Sequence, residues 1–359
     1  MAVKYQREEN NKLNEKLQSI LLQLPEFCED FFRGIMDIMQ IKTRIAYALD
    51  LRIFFYYLFN NDSKFKDRKD EKDFTVEDLD TISAIDIEKF SEFLSYYEMP
   101  KWNNPEQIVT YSNSQSGKMR KLSTLRSFYK YYYKKEIIKN NPAVLVDLPK
   151  LKEKTIVRLE TNESADLLDS IETGEFLSER SKKIGKTLSL PQRDLAIISL
   201  LLGTGIRISE CVGIDISDIN FKDDSFVVTR KGGNQAILYM PSEVKEILQV
   251  YYDEVRVKIA PVKGHENAFF LSSQKKRISV RNVQMLLNKY TSSVVPLKRI
   301  SPHKLRSTYG TNLYNETGDI YLVAEVLGHS DINTTRKHYT VVNEDRKRSA
   351  AKATKLRKD

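Results

Sequence analysis

Apolar residues along this chain recur at helical spacing far more often than in alternation, and the breaks between runs mark its elements. Leu13, Leu17, Leu21 and Leu22 punctuate a polar start rich in Lys, Glu, Asn and Gln, which predicts a short amphipathic helix within residues 1–24. From Thr43 onward Tyr47, Leu51, Phe54, Phe55 and Leu58 form a second stripe, stopped by Asn60-Asn61-Asp62-Ser63. A charged connection follows, then an amphipathic helix from Ile85 to Tyr97 that ends before Pro100. Lys118 to Lys135 sets Leu122, Leu125, Tyr129 and Tyr132 on one side, with Lys118, Arg120, Lys121, Arg126, Lys130 and Lys134 filling much of the rest. Leu151 to Arg158 has no helical period and several lysines, so it reads as a linker.

Beyond the linker the pattern changes. Ser164 to Ile171 opens a second domain, and a polar, basic excursion runs from Ser178 to Leu188. Arg193 to Leu202 is apolar nearly all round, as a buried central helix should be, and Gly203-Thr204-Gly205 breaks it. Ile208, Cys211 and Val212 then face inward, which leaves Arg207 near a helix start with Glu210 in pairing reach. Phe226 to Arg230 and Ala236 to Met240 have strand composition, and Lys231-Gly232-Gly233-Asn234 between them predicts a hairpin with Lys231 at its tip. Val244 to Val257 and Ser279 to Tyr290 read as further helices. Ser301-Pro302 reads as an N-cap and first helical position, placing His303 and Arg306 on one face of the helix that follows. Gly318 closes that helix, Ile320 to Leu327 forms another ended by Gly328, and Asp331 or Asn333 caps a third carrying Tyr339, the last tyrosine. The fold class is therefore mainly α with a small antiparallel β-sheet.

At 359 residues the chain is long for one core, and two domains are expected. Its net charge of +9, with 30% charged residues, fits a polyanion partner, although charge alone supports an ordinary basic soluble protein equally well. The two cysteines, Cys28 and Cys211, lie far apart without metal-ligand spacing and read as buried thiols of a reducing compartment. The longest apolar run, Leu195 to Leu202, is too short to span a bilayer and the N-terminus lacks a signal-peptide core, so a cytoplasmic location without membrane contact is expected.

The residues His303-Lys-Leu-Arg306, Leu327-Gly-His329-Ser-Asp-Ile-Asn-Thr-Thr and Tyr339-Thr resemble the C-terminal signature of the tyrosine recombinase, or phage integrase, family. Upstream, Gly203-Thr-Gly-Ile-Arg207-Ile-Ser-Glu210 and Thr229-Arg-Lys231-Gly-Gly resemble its first-arginine and hairpin-lysine motifs. His329 and Tyr339 are ten apart where many members have nine. Leu122-Ser-Thr-Leu-Arg126-Ser-Phe128-Tyr, with Asn141-Pro142-Ala and Leu148-Pro149-Lys150, resembles the last long helix and exit of the family's core-binding domain.

The resemblance implies an N-terminal helical extension at residues 1–24, a helical core-binding domain at 25–150, a linker at 151–160, a catalytic domain at 161–345 and a basic tail at 346–359. It implies a metal- and ATP-independent enzyme, with no cofactor, that cuts and rejoins double-stranded DNA through a 3′-phosphotyrosine. Arg207 and Arg306 would grip the phosphate, Lys231 would protonate the leaving 5′-oxygen, and His303 would act as general base. His329 would hydrogen-bond the phosphate and Tyr339 would be the nucleophile. Lys118, Arg120, Lys121, Arg126 and Lys130 would contact the DNA backbone. A homotetramer on paired sites, with the tail docked on a neighbouring subunit, accessory proteins and a mobile-element setting belong to the same expectation. A type IB topoisomerase and a DNA-binding accessory protein without chemistry are the rival readings. Taken singly, each motif also has a plain structural reading: a surface His-x-x-Arg pair, an Arg207–Glu210 salt bridge, a turn lysine, a core tyrosine.

Overall fold

The computed structural model describes residues 2–151, 157–174, 190–230 and 233–328, with side chains from Asn10 onward. The chain divides into two compact units, one of residues 3–153 and one from residue 154 on. Among the described residues the fold is mainly helical, with one antiparallel sheet in each unit. No helix among them is long and apolar enough to cross a membrane.

The first unit is built on α1 (Ala2–Leu21), α2 (Cys28–Gly34), α3 (Ile41–Asn61), α4 (Asp78–Thr81), α5 (Ala84–Phe93) and α6 (Gln115–Lys134). The stripe on α3 was readable because Leu51, Phe54, Phe55 and Leu58 are all buried, and the helix stops where Asp62 turns extended. Aromatic rings fill the core edge to face, with Phe31 and Phe128 centroids 5.2 Å apart and Phe54 and Phe90 5.1 Å apart. Leu17, Ile20 and Leu21 of α1, and Leu24 just beyond it, are buried in this same core.

Two further details go beyond the sequence reading. The helix expected to reach Tyr97 ends at Phe93, and Tyr97 instead opens a strand, β1 (Tyr97–Lys101), paired antiparallel with β2 (Asn104–Tyr111). Tyr97 stacks on both Phe93 and Tyr111, at 4.9 and 5.3 Å, and this aromatic column stabilises the strand over another helical turn. The charged connection after α3 is folded, because Phe65, Phe74 and Leu79 are buried and Arg68 Nη2 donates to both carboxylate oxygens of Asp78 at 2.7 and 2.9 Å.

The second unit comprises α7 (Thr161–Thr173), α8 (Leu190–Thr204), α9 (Ile208–Gly213), β3 (Ile219–Asn220), β4 (Ser225–Thr229), β5 (Gln235–Tyr239), α10 (Ser242–Glu254), α11 (Val280–Val294), α12 (Pro302–Thr317) and α13 (Ile320–Leu327). Its centre is α8, where Ala196, Ile197, Ile198, Leu200 and Leu201 are buried nearly all round, so α7, α10 and α12 can pack against it. The strands form one antiparallel sheet in the order β3-β4-β5, with Val227 opposite Ile237. Phe226 and Val228 point into the core while Ile237 and Tyr239 on the outer strand stay exposed, the alternation expected of a sheet covered on one face.

Candidate active site

The site is assembled from three chain breaks. The first is the end of α8, where Gly205 takes φ 62°. A Cβ there would meet the Tyr309 ring at 2.3 Å, so glycine is needed both for the turn and for the close approach of α12. Two residues on, Arg207 is the N-cap residue of α9, and its backbone N–H donates to Glu210 Oε2 at 2.8 Å. The same carboxylate takes Arg207 Nη1 at 2.8 Å, so buried Glu210 orients the guanidinium while capping the helix.

The second break is the start of α12. Pro302 occupies the first turn, although Ser301 caps by its backbone conformation with no side-chain bond. His303 on that first turn is exposed. Arg306, one turn further, is buried at 4% exposure. Its Nη1 donates to Gly205 O at 2.8 Å and its Nη2 to Leu327 O.

The third is the end of α13. Asp319 caps its N-terminus through Tyr321 N and Leu322 N at 2.8 and 3.1 Å, and Gly328 ends it in the left-handed region at φ 62°. The last carbonyls of a helix have no partner within it. Here arginines supply the donors: Arg230 reaches Val326 O at 3.0 Å and Glu325 O at 3.4 Å, Arg306 takes Leu327 O, and Arg207 Nη2 takes Gly328 O at 3.1 Å. Three guanidiniums therefore gather at the negative end of one helix dipole. Arg207, with a side chain 34% exposed, is open to solvent where Arg306 is closed off. An anion approaching this point meets fixed positive charge with little reorganisation.

The structure thus brings Arg207 and Arg306 together on the Leu327-Gly328 turn and puts His303 three residues before Arg306. Lys231, His329 and Tyr339 lie outside the described residues, as does the third helix expected after Asp331. Arg230, which shares the helix end with the two expected arginines, was not singled out by sequence. Its only signal is its place beside Lys231, since its carbonyl acceptors lie some ninety-five residues away.

In the first unit the cations of α6 do not form one open face. Lys121 is buried and donates to Asn113 Oδ1 at 2.7 Å, and burial lowers its ammonium pKa. Arg126 spans Ala143 O and Val146 O at 3.1 and 2.6 Å, tying the exit segment to α6. Both side chains thus make bonds within the first unit. Arg120 pairs bidentately with buried Asp50 at 2.5 and 2.7 Å but keeps a side chain 48% exposed. Lys118 donates to Ser95 Oγ at 2.6 Å, and Lys130 is exposed.

Comparison with known proteins decides what family this arrangement belongs to. Residues 158–346, more than half of the chain, match the family described as the Phage integrase family. The chain belongs to that family. Among phage integrase relatives, the tyrosine recombinase XerC of Caldanaerobacter subterraneus subsp. tengcongensis is 33% identical over 338 residues, covering 92% of this chain and 86% of that protein. The tyrosine recombinase XerS of Streptococcus uberis is 30% identical over 366 residues, covering 95% and 98%. Solved structures share the fold. The Tn1549 transposon integrase in complex with circular intermediate DNA superposes with a TM-score of 0.63 at 17% identity, over 90% of this chain and 98% of that one. XerH recombinase in a post-cleavage complex with palindromic difH superposes with a TM-score of 0.61 at 20% identity, over 87% and 79%.

Proposed function

We propose that this tyrosine recombinase is a site-specific DNA strand transferase that cuts and rejoins double-stranded DNA through a 3′-phosphotyrosine. The observation that carries the reading is the meeting of Arg207 and Arg306 at the end of α13, within the span matched to the family. Five-coordinate phosphorus carries extra negative charge on its non-bridging oxygens, and arginine forks stabilise that charge without changing protonation state. The Tyr339 oxygen attacks phosphorus, forming the phosphotyrosine bond and breaking the bond to the 5′-oxygen. His303 takes the tyrosine proton, Lys231 gives one to the departing oxygen, and His329 hydrogen-bonds the phosphate. Religation runs the same steps backward, which conserves the bond energy.

On this reading the second unit is the catalytic domain and the first a DNA-binding domain, joined by the segment around 151–160. Lys118, Arg120 and Lys130 of α6 meet phosphates, which position the protein without specifying sequence. The enzyme works in the cytoplasm as a homotetramer on paired sites, with accessory proteins able to set direction. The test is a plasmid carrying two copies of the DNA that flanks its own coding sequence. Recombinant circles or inversions from two-site plasmids, and none from one-site plasmids, are expected. Relaxation of any supercoiled plasmid without site dependence would favour the topoisomerase reading instead.

A further inference from the structure

The hairpin that leads to Lys231 is fastened at its neck to the same helix end that holds Arg207 and Arg306. Arg230 is the last residue before the loop, and its backbone N–H donates to Asn234 O at 2.7 Å while its carbonyl accepts from Gly233 N at 3.0 Å. These two bonds close the neck of the loop on β4 and β5. From that neck the Arg230 side chain crosses to α13, donating Nη2 to Val326 O at 3.0 Å and Nη1 to Glu325 O at 3.4 Å. The fit is close, because a Cβ on Gly328 would lie 2.2 Å from Arg230 Nη1. Gly328 therefore serves two ends: its positive φ terminates the helix, and its bare Cα leaves room for the Arg230 guanidinium.

Consecutive groups of one helix terminus are thus shared out by role. Glu325 O and Val326 O hold the hairpin neck, Leu327 O holds Arg306, and Gly328 O holds Arg207. The neck lies at the edge of the sheet, since β5 is the outer strand of three and its Ile237 and Tyr239 are exposed. The side chain of Arg230 is the described bridge between that neck and the α13 terminus. We propose that Arg230 is a positioning residue for the proton-donating step: by clamping the hairpin neck to α13 it fixes the approach of Lys231 relative to the phosphate gripped by Arg207 and Arg306. The proposal rests on the reading of Lys231 as the general acid. It assigns Arg230 no contact with DNA.

A role through the acid makes a specific demand. Replacing the bridging 5′-oxygen of the scissile phosphate by sulfur gives a leaving thiolate, which departs without a proton because a thiol ionises near pH 8.5. A variant whose only fault is poor proton donation is therefore slow on the oxygen substrate and restored on the sulfur one. Single-turnover cleavage is measured for the full-length wild type, Arg230→Ala and Lys231→Ala on otherwise identical oxygen and 5′-bridging sulfur duplexes, with DNA binding and the melting temperature measured alongside. General acids contribute about 10²–10⁴-fold, so Arg230→Ala should lose roughly 10²-fold or less on oxygen, less than Lys231→Ala, with DNA affinity unchanged. Both should return to within a few-fold of wild type on sulfur.

If Lys231→Ala is restored by sulfur and Arg230→Ala is not, the positioning role is overturned while the acid reading stands. If Lys231→Ala itself is not restored, the acid reading fails, and the role assigned to Arg230 falls with it. Should Arg230→Ala lower the melting temperature, Arg230→Lys keeps one donor for Val326 O and is judged by the same sulfur criterion. An Arg230→Lys rate between wild type and Arg230→Ala on oxygen supports the clamp. Equal rates for all three on oxygen contradict it.

Discussion

Arg306→Lys separates two things that a phosphate-gripping arginine can do. At 4% exposure, Arg306 bridges Gly205 O at 2.8 Å and Leu327 O, joining the turn that precedes Arg207 to the end of α13. Lysine keeps the charge but presents a single nitrogen in place of the planar fork, so it cannot serve both carbonyls in the same geometry. One buried carbonyl then loses its donor, at a cost of about 1–3 kcal/mol. For a domain of this size each kcal/mol corresponds to roughly 2–4 °C in melting temperature, so a central loss of ~2 kcal/mol means a drop of about 4–8 °C. Arg207→Lys is the internal comparison. Its side chain is 34% exposed, water can replace the bond to Gly328 O, and a lysine can still pair with Glu210, so the loss should stay within about 1 kcal/mol. Thermal unfolding of wild type and both variants in one buffer, without DNA, is the assay. Melting of Arg306→Lys together with the wild type, or a larger loss from Arg207→Lys than from Arg306→Lys, would contradict a bridging role for Arg306.

Two other predictions follow from the same geometry and from the first unit. Glu210→Gln retains an acceptor for Arg207 N but faces an amide toward Nη1, so the guanidinium loses its orientation. Cleavage should slow by about 10–10²-fold at unchanged DNA affinity, a loss comparable to or below that of one preorganised donor, and a wild-type rate in single-turnover cleavage speaks against the orienting role. In the first unit, burial pushes the Glu71 carboxyl up to about 7 against the pull of Arg52, with Asp70 adding to the rise. The folded state thus holds a proton that the unfolded chain has already released above 4.5, and stability falls as pH rises through about 7. Glu71→Gln should raise the urea midpoint at pH 8 relative to wild type and not at pH 5; an equal change at both values contradicts the shift.

The elements readable from sequence were those whose signal is local. The stripes of α3 and α6 and the all-round apolar α8 announce themselves by period, and Gly318 and Gly328 mark helix ends because both take positive φ. Arg207 beside Glu210 was legible as a pair three residues apart on a short helix. The β1–β2 hairpin was not legible, since Pro100 and Pro105 sit within it and most of β2 is exposed, leaving no clean alternation. The fate of the α6 cations was equally hidden. Whether Arg120 faces water or a carboxylate is decided by Asp50, seventy residues earlier, and Lys121 is buried beside it at the neighbouring position. Arg230 shows the same limit, because a guanidinium that bonds backbone carbonyls on a distant helix leaves no residue-type pattern at either end.

The proposed chemistry passes through a covalent bond between protein and DNA, and that bond can be captured. Full-length wild type and Tyr339→Phe are incubated with the flanking DNA in EDTA and denatured, and protein attached to 3′ ends is resolved by gel and its site mapped by peptide mass. The wild type is expected to give an adduct on the peptide containing Tyr339, and the phenylalanine variant none. An adduct of equal yield from Tyr339→Phe, or one mapped to another residue, would contradict the role of Tyr339.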